Sequence, residues 1–229
     1  HWTVVVWHSF LNLKEPFVAL LSVLMIFFVT RFRMTPFRSV LGVVLTVLLL
    51  LRIRFYFPVF ILGGVLLACL PQLWRHAITR PVVVVLGLVT LLVGITTIYQ
   101  SEIRLFMRMA DFPGFPYGVL HFVLQPAPWK ITEPAGYLFL PSILNWVLFI
   151  PSCIGAYRVW LCGFTGRLLV GTVASGVIFY GLVTAVASTR HRMPLDMLVV
   201  VFQFVFVLEY GVRNRTQRRG FKYQTPKPE

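Results

Sequence analysis

The connector before the last apolar stretch of the chain holds the residues best suited to bind an anion. It reads S-T-R-H-R-M-P-L-D-M over 188–197, with Arg190 and Arg192 on either side of His191. Guanidinium groups bind phosphate through paired hydrogen bonds, so this segment suits a lipid phosphate at the headgroup level. The same cations also fit a purely topological role beside anionic headgroups. Pro194 fits the first turn of a following helix, where no hydrogen-bond donor is lost.

The segment 100–136 gathers a second set of candidates. It combines acidic, basic and aromatic residues, namely Glu102, Arg104, Asp111, Trp129, Lys130 and Glu133. Residues 117–124 within it are apolar but too short to cross a bilayer, so they suit a helix in the interface plane. One interpretation is a connector that rests on lipid. The other is one wall of a substrate site, with an acidic residue as the base toward an acceptor hydroxyl.

Patterns typical of metal or nucleophile sites do not occur in the sequence. It contains no HExxH motif, no Ser/His/Asp order and no phosphate-cradling glycine loop. Cys69, Cys153 and Cys162 form no CxxC pair and lie in or beside apolar runs, so we interpret them as packing residues. We therefore expect no metal and no cofactor, and the catalytic residues stay unassigned.

The composition places these candidates in a polytopic membrane protein. Hydrophobic residues make up 58% of the 229 residues and charged residues 12%, whereas a soluble domain has about 25% charged residues. Apolar runs cover 17–30, 39–51, 55–70, 81–99, 137–155, 168–187 and 195–210. The runs are continuous rather than alternating. In lipid a single segment can satisfy its backbone hydrogen bonds only as a helix, since a sheet would have to close on itself. We therefore predict an all-α transmembrane bundle of about seven hydrophobic segments. The first two runs also fit a re-entrant or interfacial hairpin.

Four regions follow from this pattern. They are four membrane segments in 1–99, an extracytoplasmic loop with an interfacial helix in 100–136, three membrane segments in 137–210, and a basic tail in 211–229. The formal charge of +14 would indicate nucleic acid in a soluble protein. Here the cations lie in short connectors, so we expect lipid headgroups as the partner and no nucleic acid. The side with the tail carries more Lys and Arg, which predicts a cytoplasmic tail.

Four short motifs occur in order along the chain: L-K-E-P at 13–16, R-F-Y at 54–56, F-V-L-Q-P-A-P-W at 122–129 and R-H-R-M-P at 190–194. Together they resemble the later part of bacterial GT-C-type membrane glycosyltransferases, which include dolichyl-phosphate-mannose protein mannosyltransferases and aminoarabinose-transferase-like enzymes. The resemblance implies sugar transfer from a polyprenyl-phosphate donor during envelope glycan assembly, in the bacterial inner membrane.

The sequence departs from that family in two ways. Met197 stands where the family often has a second proline. The catalytic acids of the family lie in an early outer loop, and nothing before His8 supplies such a loop. The chain therefore resembles a C-terminal part whose catalytic N-terminal part is absent, or a relative that has lost it.

Other classes of membrane protein stay open. Ionisable residues are scarce inside the apolar runs, which favours a non-catalytic subunit of a larger membrane complex. The same scarcity counts against a transporter or channel, because intramembrane ionisable groups usually mark transport paths. The expected partners are therefore the bilayer, a polyprenyl-phosphate lipid and the subunits of a membrane complex.

Overall fold

The computed structural model describes residues 14–32, 34–54, 56–73, 100–124, 127–131, 139–183 and 189–222. Within these ranges the chain forms nine α-helices and one 3₁₀ helix, with no β-strand. They are α1 Lys14–Arg31, α2 Pro36–Arg54, α3 Phe57–Leu73, α4 Gln100–Met109, α5 Phe115–Leu124, the 3₁₀ helix Pro128–Lys130, α6 Phe139–Val147, α7 Phe149–Leu161, α8 Phe164–Leu182 and α9 Thr189–Lys222. The prediction of an all-helical fold is confirmed for this described part.

The helices follow most of the predicted apolar runs, with two differences. The run 137–155 forms two helices, α6 and α7, separated at Leu148. Helix α9 begins at Thr189, so Pro194 lies inside it rather than in its first turn. Helix α5 contains the predicted interfacial segment 117–124, whereas α4 was not predicted from the sequence. The run 81–99 lies outside the described residues.

Two of the described helices, α2 and α8, are long and apolar enough to cross a membrane, judged by length and composition. Each has 19 residues, which corresponds to about 28 Å at a rise of 1.5 Å per residue, close to the hydrocarbon thickness of a bilayer. The apolar parts of three other helices are shorter, at Pro16–Arg31, Phe57–Cys69 and Phe115–Leu124. The described structure is therefore a helix bundle with two candidate membrane spans.

Helix α8 is the centre of this bundle, and small residues allow its neighbours to approach closely. It packs against α3, α5, α7 and α9. A methyl carbon added at Gly171 would lie only 2.9 Å from the Cα of Gly64 in α3, and one added at Gly176 would meet the side chain of Leu195 in α9. The buried hydroxyl of Thr172 donates to the carbonyl oxygen of Leu168 at 2.8 Å, so it needs no partner from another helix.

One end of the bundle is defined by contacts that join Tyr56, directly before α3, to α4 and α8. The rings of Tyr56 and Phe179 stack with centroids 5.7 Å apart, and Phe106 of α4 meets Phe179 at 5.1 Å. The backbone N–H of Asp111, between α4 and α5, donates to the carbonyl oxygen of Leu182 at 2.9 Å. We call this end, which holds α4, α5 and the C-terminal end of α8, the loop end.

The opposite end, which we call the tail end, is marked by an ion pair between α7 and α9. The Nε of Arg158 lies 3.4 Å from Oε2 of Glu209, and each side chain is about one-third exposed. A hydrogen bond that Arg158 donates to the Tyr210 hydroxyl oxygen and the charge of Glu209 raise the pKa of the Arg158 guanidinium above its usual range, so this residue stays cationic. Helix α9 continues past the pair to Lys222.

Candidate functional site

A pocket of about 180 Å³ lies among five helices of the bundle. Its walls are Phe122 and Val123 of α5, Asn145 of α6, Phe149, Ser152, Cys153 and Ala156 of α7, Val173 and Val177 of α8, and Leu195, Asp196, Val199 and Phe202 of α9. An apolar cavity of roughly 150 Å³ is known to accept a benzene-sized ligand. The pocket therefore has room for a short stretch of hydrocarbon.

The shape of the pocket follows the helix axes. On α9 it extends from Leu195 to Phe202, and on α7 from Phe149 to Ala156. Each stretch advances about 10 Å at 1.5 Å per residue, so the pocket is elongated along the bundle. The exposed residue Cys153 lines one side. The pocket is therefore open at the surface of the bundle, where a hydrocarbon chain can enter from the side.

Few polar groups line the pocket. The hydroxyl of Ser152 donates to the carbonyl oxygen of Leu148 at 2.6 Å, within its own helix. The side chain of Asn145 donates to the carbonyl oxygen of Val123 at 3.1 Å. Asp196 is the acidic residue on the wall and belongs to the part of α9 nearest the loop end. The remaining wall residues are apolar, apart from the Cys153 thiol, so the site favours a hydrocarbon chain over a sugar.

Helix α5 forms one wall because two side chains of α6 hold its C-terminal end. Asn145 bonds Val123 as above, and the indole N–H of Trp146 donates to the carbonyl oxygen of Leu124 at 2.7 Å. Both bonds satisfy carbonyl groups that the last turn of a helix leaves open. Trp129 then packs its ring edge to face against Trp146, with centroids 4.9 Å apart. The wall is thus fixed by specific contacts rather than by apolar packing alone.

Aromatic packing supports the same wall from behind. The ring of Phe122 stacks on that of Tyr180 at 4.7 Å, with the planes inclined by 18°. Tyr180 is fully buried and also meets Tyr56 edge to face at 6.0 Å. Through Tyr180, the wall residue Phe122 therefore packs into the cluster of aromatic rings at the loop end.

The predicted anion-binding residues Arg190, His191 and Arg192 lie in the first turn of α9, whereas their side chains fall outside the described part. Their helical positions still separate the two arginines. Residues two apart on a helix are about 200° apart around its axis and do not face each other. Arg192 precedes Asp196 by four residues and Leu195 by three, so it shares the helix face that lines the pocket. Arg190 lies on a different face.

Arg52 and Arg54, a second pair of arginines two residues apart, lie in different surroundings. Arg52 is exposed, whereas Arg54 is half-buried. Its Nη1 donates to the hydroxyl of Tyr56 at 2.8 Å, and its guanidinium carbon lies 5.9 Å from the centroid of that ring, within the range of a cation–π contact. Arg54 therefore anchors the aromatic core at the loop end.

The candidates in 100–136 do not come together as one described cluster. Arg104 is exposed and donates to Gln100 at 3.4 Å along α4. Asp111 is exposed, and its Oδ1 accepts a 2.9 Å hydrogen bond from the backbone N–H of Gly114, which shapes the turn before α5. Trp129 contacts Trp146. The side chains of Glu102 and Lys130, and the whole of Glu133, lie outside the described residues.

Asn145, Trp146 and the pocket were not predicted from the sequence. The sequence does hold a signal for these two residues. An amide and an indole stand next to each other within an apolar run, and polar groups at membrane depth need hydrogen-bond partners. The pocket itself left no such signal, since its wall residues are ordinary apolar residues from separate helices. Among the described residues, no group of three or more His, Cys, Asp or Glu side chains could hold a metal ion.

Comparisons with known proteins identify no relative of this chain: no family model, no curated protein and no solved structure matches it.

Proposed function

We propose that the chain is an integral membrane protein that binds a polyprenyl-phosphate lipid, and that it forms the lipid-binding part of a glycosyltransferase using a polyprenyl-phosphate-linked sugar. The observation that carries the proposal is the elongated apolar pocket beside the first turns of α9. A pocket of this kind suits the hydrocarbon of an amphiphilic lipid. Of the sequence motifs that resemble GT-C enzymes, the one at 122–129 begins in α5 and the one at 190–194 lies in α9, and both helices line the pocket.

The bilayer setting is supported by the exposed faces of the candidate spans. Only 28% of the apolar window of α2 and 39% of that of α8 are buried, whereas a core helix of a soluble protein would be mostly buried. On α2 the exposed residues Phe37, Leu41, Leu45 and Leu48 fall on one face. An apolar face of this size in contact with water would be unfavourable, and lipid removes that cost. We extend this reasoning to about seven hydrophobic segments in a bacterial inner membrane.

The lipid phosphate is assigned to the loop end of the pocket. Arg192 shares the pocket-lining face of α9, one turn before Asp196. A cation at that position would bind the phosphate while the chain follows Leu195, Val199 and Phe202 down the same face. The sugar would then lie beside the 100–136 segment, and the base toward an acceptor hydroxyl would be Glu102, Asp111 or Glu133. The loop end is outside and the tail is cytoplasmic in this arrangement.

A non-catalytic subunit of a membrane complex is the second candidate. Two of the acidic side chains that the structure describes have structural partners: Asp111 accepts from Gly114 and Glu209 pairs with Arg158. Such roles favour a scaffold over a catalytic base. Purification in mild detergent distinguishes the two candidates, because a subunit should remain in one large assembly, whereas a self-sufficient lipid-binding protein should bind its lipid after separation.

Two native cysteines provide the test of the lipid site. Cys153 and Cys162 are both exposed, and of the two only Cys153 lines the pocket. In the Cys69→Ala chain reconstituted in nanodiscs, a polyprenyl phosphate should slow maleimide labelling of Cys153 and leave the rate at Cys162 unchanged. The corresponding polyprenol should protect less, because it lacks the charge that Arg192 would bind. Equal protection of both cysteines, or of neither, would contradict the proposal.

A further inference from the structure

The exposed apolar face of α9 points to a second lipid contact, at the tail end. Val201, Phe204, Val207 and Leu208 are each at least 40% exposed, whereas Leu195, Leu198 and Phe202 are buried on the other side of the same helix. With about 100° per residue, the exposed residues fall within one arc of the helix surface. This arc is the face that α9 turns away from the bundle.

The same face continues beyond Tyr210 as a row of basic positions. Helix α9 is unbroken to Lys222, and positions 215, 218, 219 and 222 are all Arg or Lys. Their spacing of three, four and seven residues places them on one face. Counted at about 100° per residue from Phe204, these positions fall in the same arc as the exposed apolar residues. No acidic residue occurs between 210 and 222, and Glu209 is already paired with Arg158.

We propose that the end of α9 is a headgroup-binding segment whose basic face binds the phosphates of anionic lipids in its own membrane. This rests on the bilayer placement that is part of the proposed function. A face that contacts hydrocarbon before Tyr210 enters the headgroup layer after it, and the basic positions follow about 8–18 Å further along the helix axis, where the surface potential of anionic lipids acts. The partner is an anionic lipid surface because the cations are continuous with an apolar face, whereas a nucleic-acid site needs no such continuity.

The experiment uses the full chain without native cysteines and with Phe221→Cys labelled by an environment-sensitive fluorophore. The chain is reconstituted in phosphatidylcholine nanodiscs with or without phosphatidylglycerol, and quenching by acrylamide reports exposure of the tail. Each basic residue near an anionic surface contributes about a fivefold change in binding. Phosphatidylglycerol should therefore protect the probe, and added salt should reverse the protection.

Two variants test whether the placement of the basic residues on one face matters in addition to the net charge of the tail. Gln at positions 215, 218, 219 and 222 should lower the bound-to-free ratio of the tail by at least about tenfold. The matched control keeps every charge but moves two off the face, through Arg215→Thr with Thr216→Arg and Arg218→Gln with Gln217→Arg. It should lose a large part of the protection.

Three results would overturn the inference. They are equal quenching in both kinds of nanodisc, full protection in the charge-matched control, and stronger protection by an RNA oligonucleotide than by phosphatidylglycerol. A chain that fails to enter nanodiscs at all would instead contradict the bilayer placement in the proposed function. Labelling of Cys153 tests the pocket separately, so the two proposals can fail independently.

Discussion

The indole N–H of Trp146 donates a 2.7 Å hydrogen bond to the carbonyl oxygen of Leu124, the last residue of α5. This bond ties an aromatic side chain of α6 to the helix that forms one wall of the pocket. Beside it, Asn145 donates to Val123, which is itself a wall residue. The position of α5, and with it the width of the pocket, therefore depends on two donors from the segment before the break at Leu148.

Trp146→Phe should destabilise the bundle modestly and loosen the pocket. The change keeps most of the apolar ring but removes the donor, and a hydrogen bond of this kind contributes about 0.5–1.5 kcal/mol to the free energy of unfolding. Unfolding in mixed micelles measures that loss. Trp129→Phe serves as the control, because it keeps an aromatic ring next to Trp146 and leaves the bond to Leu124 intact. Equal losses in the two variants would show that ring packing, not the hydrogen bond, holds α5.

Gly155→Ala should be more damaging than Gly42→Ala. A methyl group at Gly155 would run into the backbone carbonyl of Phe202, whereas one at Gly42 would meet the ring of Phe28. The ring can rotate away but the backbone can move only with α9, so we expect a cost of about 1–3 kcal/mol at Gly155. Thermal unfolding of the two variants checks the order. A smaller effect at Gly155 would mean that α7 and α9 are less closely packed than described.

Arg192→Gln should weaken binding of a polyprenyl phosphate by about tenfold, because a well-formed charge-assisted hydrogen bond contributes about 1.5–3 kcal/mol. Arg190→Gln is the matched control and should have a smaller effect, since position 190 lies on another face of α9. Arg192→Lys should restore binding only in part, because the ammonium lacks the two-pronged geometry of the guanidinium. Titration of a fluorescent polyprenyl phosphate measures all three. Equal affinity in wild type and in a variant that carries both Arg190→Gln and Arg192→Gln would remove both arginines from the site.

The orientation of the chain can be measured with impermeant thiol reagents in intact cells. A cysteine introduced at Gly114 should react, because the excess of basic residues on the tail side predicts that the loop end is outside. A cysteine introduced at Thr225 should react only after the cells are opened. The reversed pattern would place the loop end of the pocket and the 100–136 segment on the cytoplasmic side, and no outward acceptor could then be reached.

The helical fold could be predicted from sequence because its cause is local. Continuous apolar runs bounded by cations, as at 39–51 before Arg52, leave a chain in lipid with little choice but to satisfy its backbone within one helix. The run 137–155 was predicted as one segment, although Pro151 is a local signal for its break at Leu148. Pro151 lies in the first turn of α7, lacks the N–H that would donate to the carbonyl oxygen of Val147, and crowds that carbonyl.

Part of the candidate site could be predicted from the sequence, and part depends on the tertiary structure. The types and spacing of residues predicted Arg190 and Arg192 together as cations next to a helix entry, and they predicted residues 117–124 as a short apolar helix. Only the tertiary structure brought α5 and α9 together in the wall of one pocket and placed the exposed Cys153 beside them. It also placed positions 190 and 192 in a helix, and so on different faces. Hydropathy along a chain depends on each residue alone, whereas a cavity depends on where side chains from separate helices fail to meet.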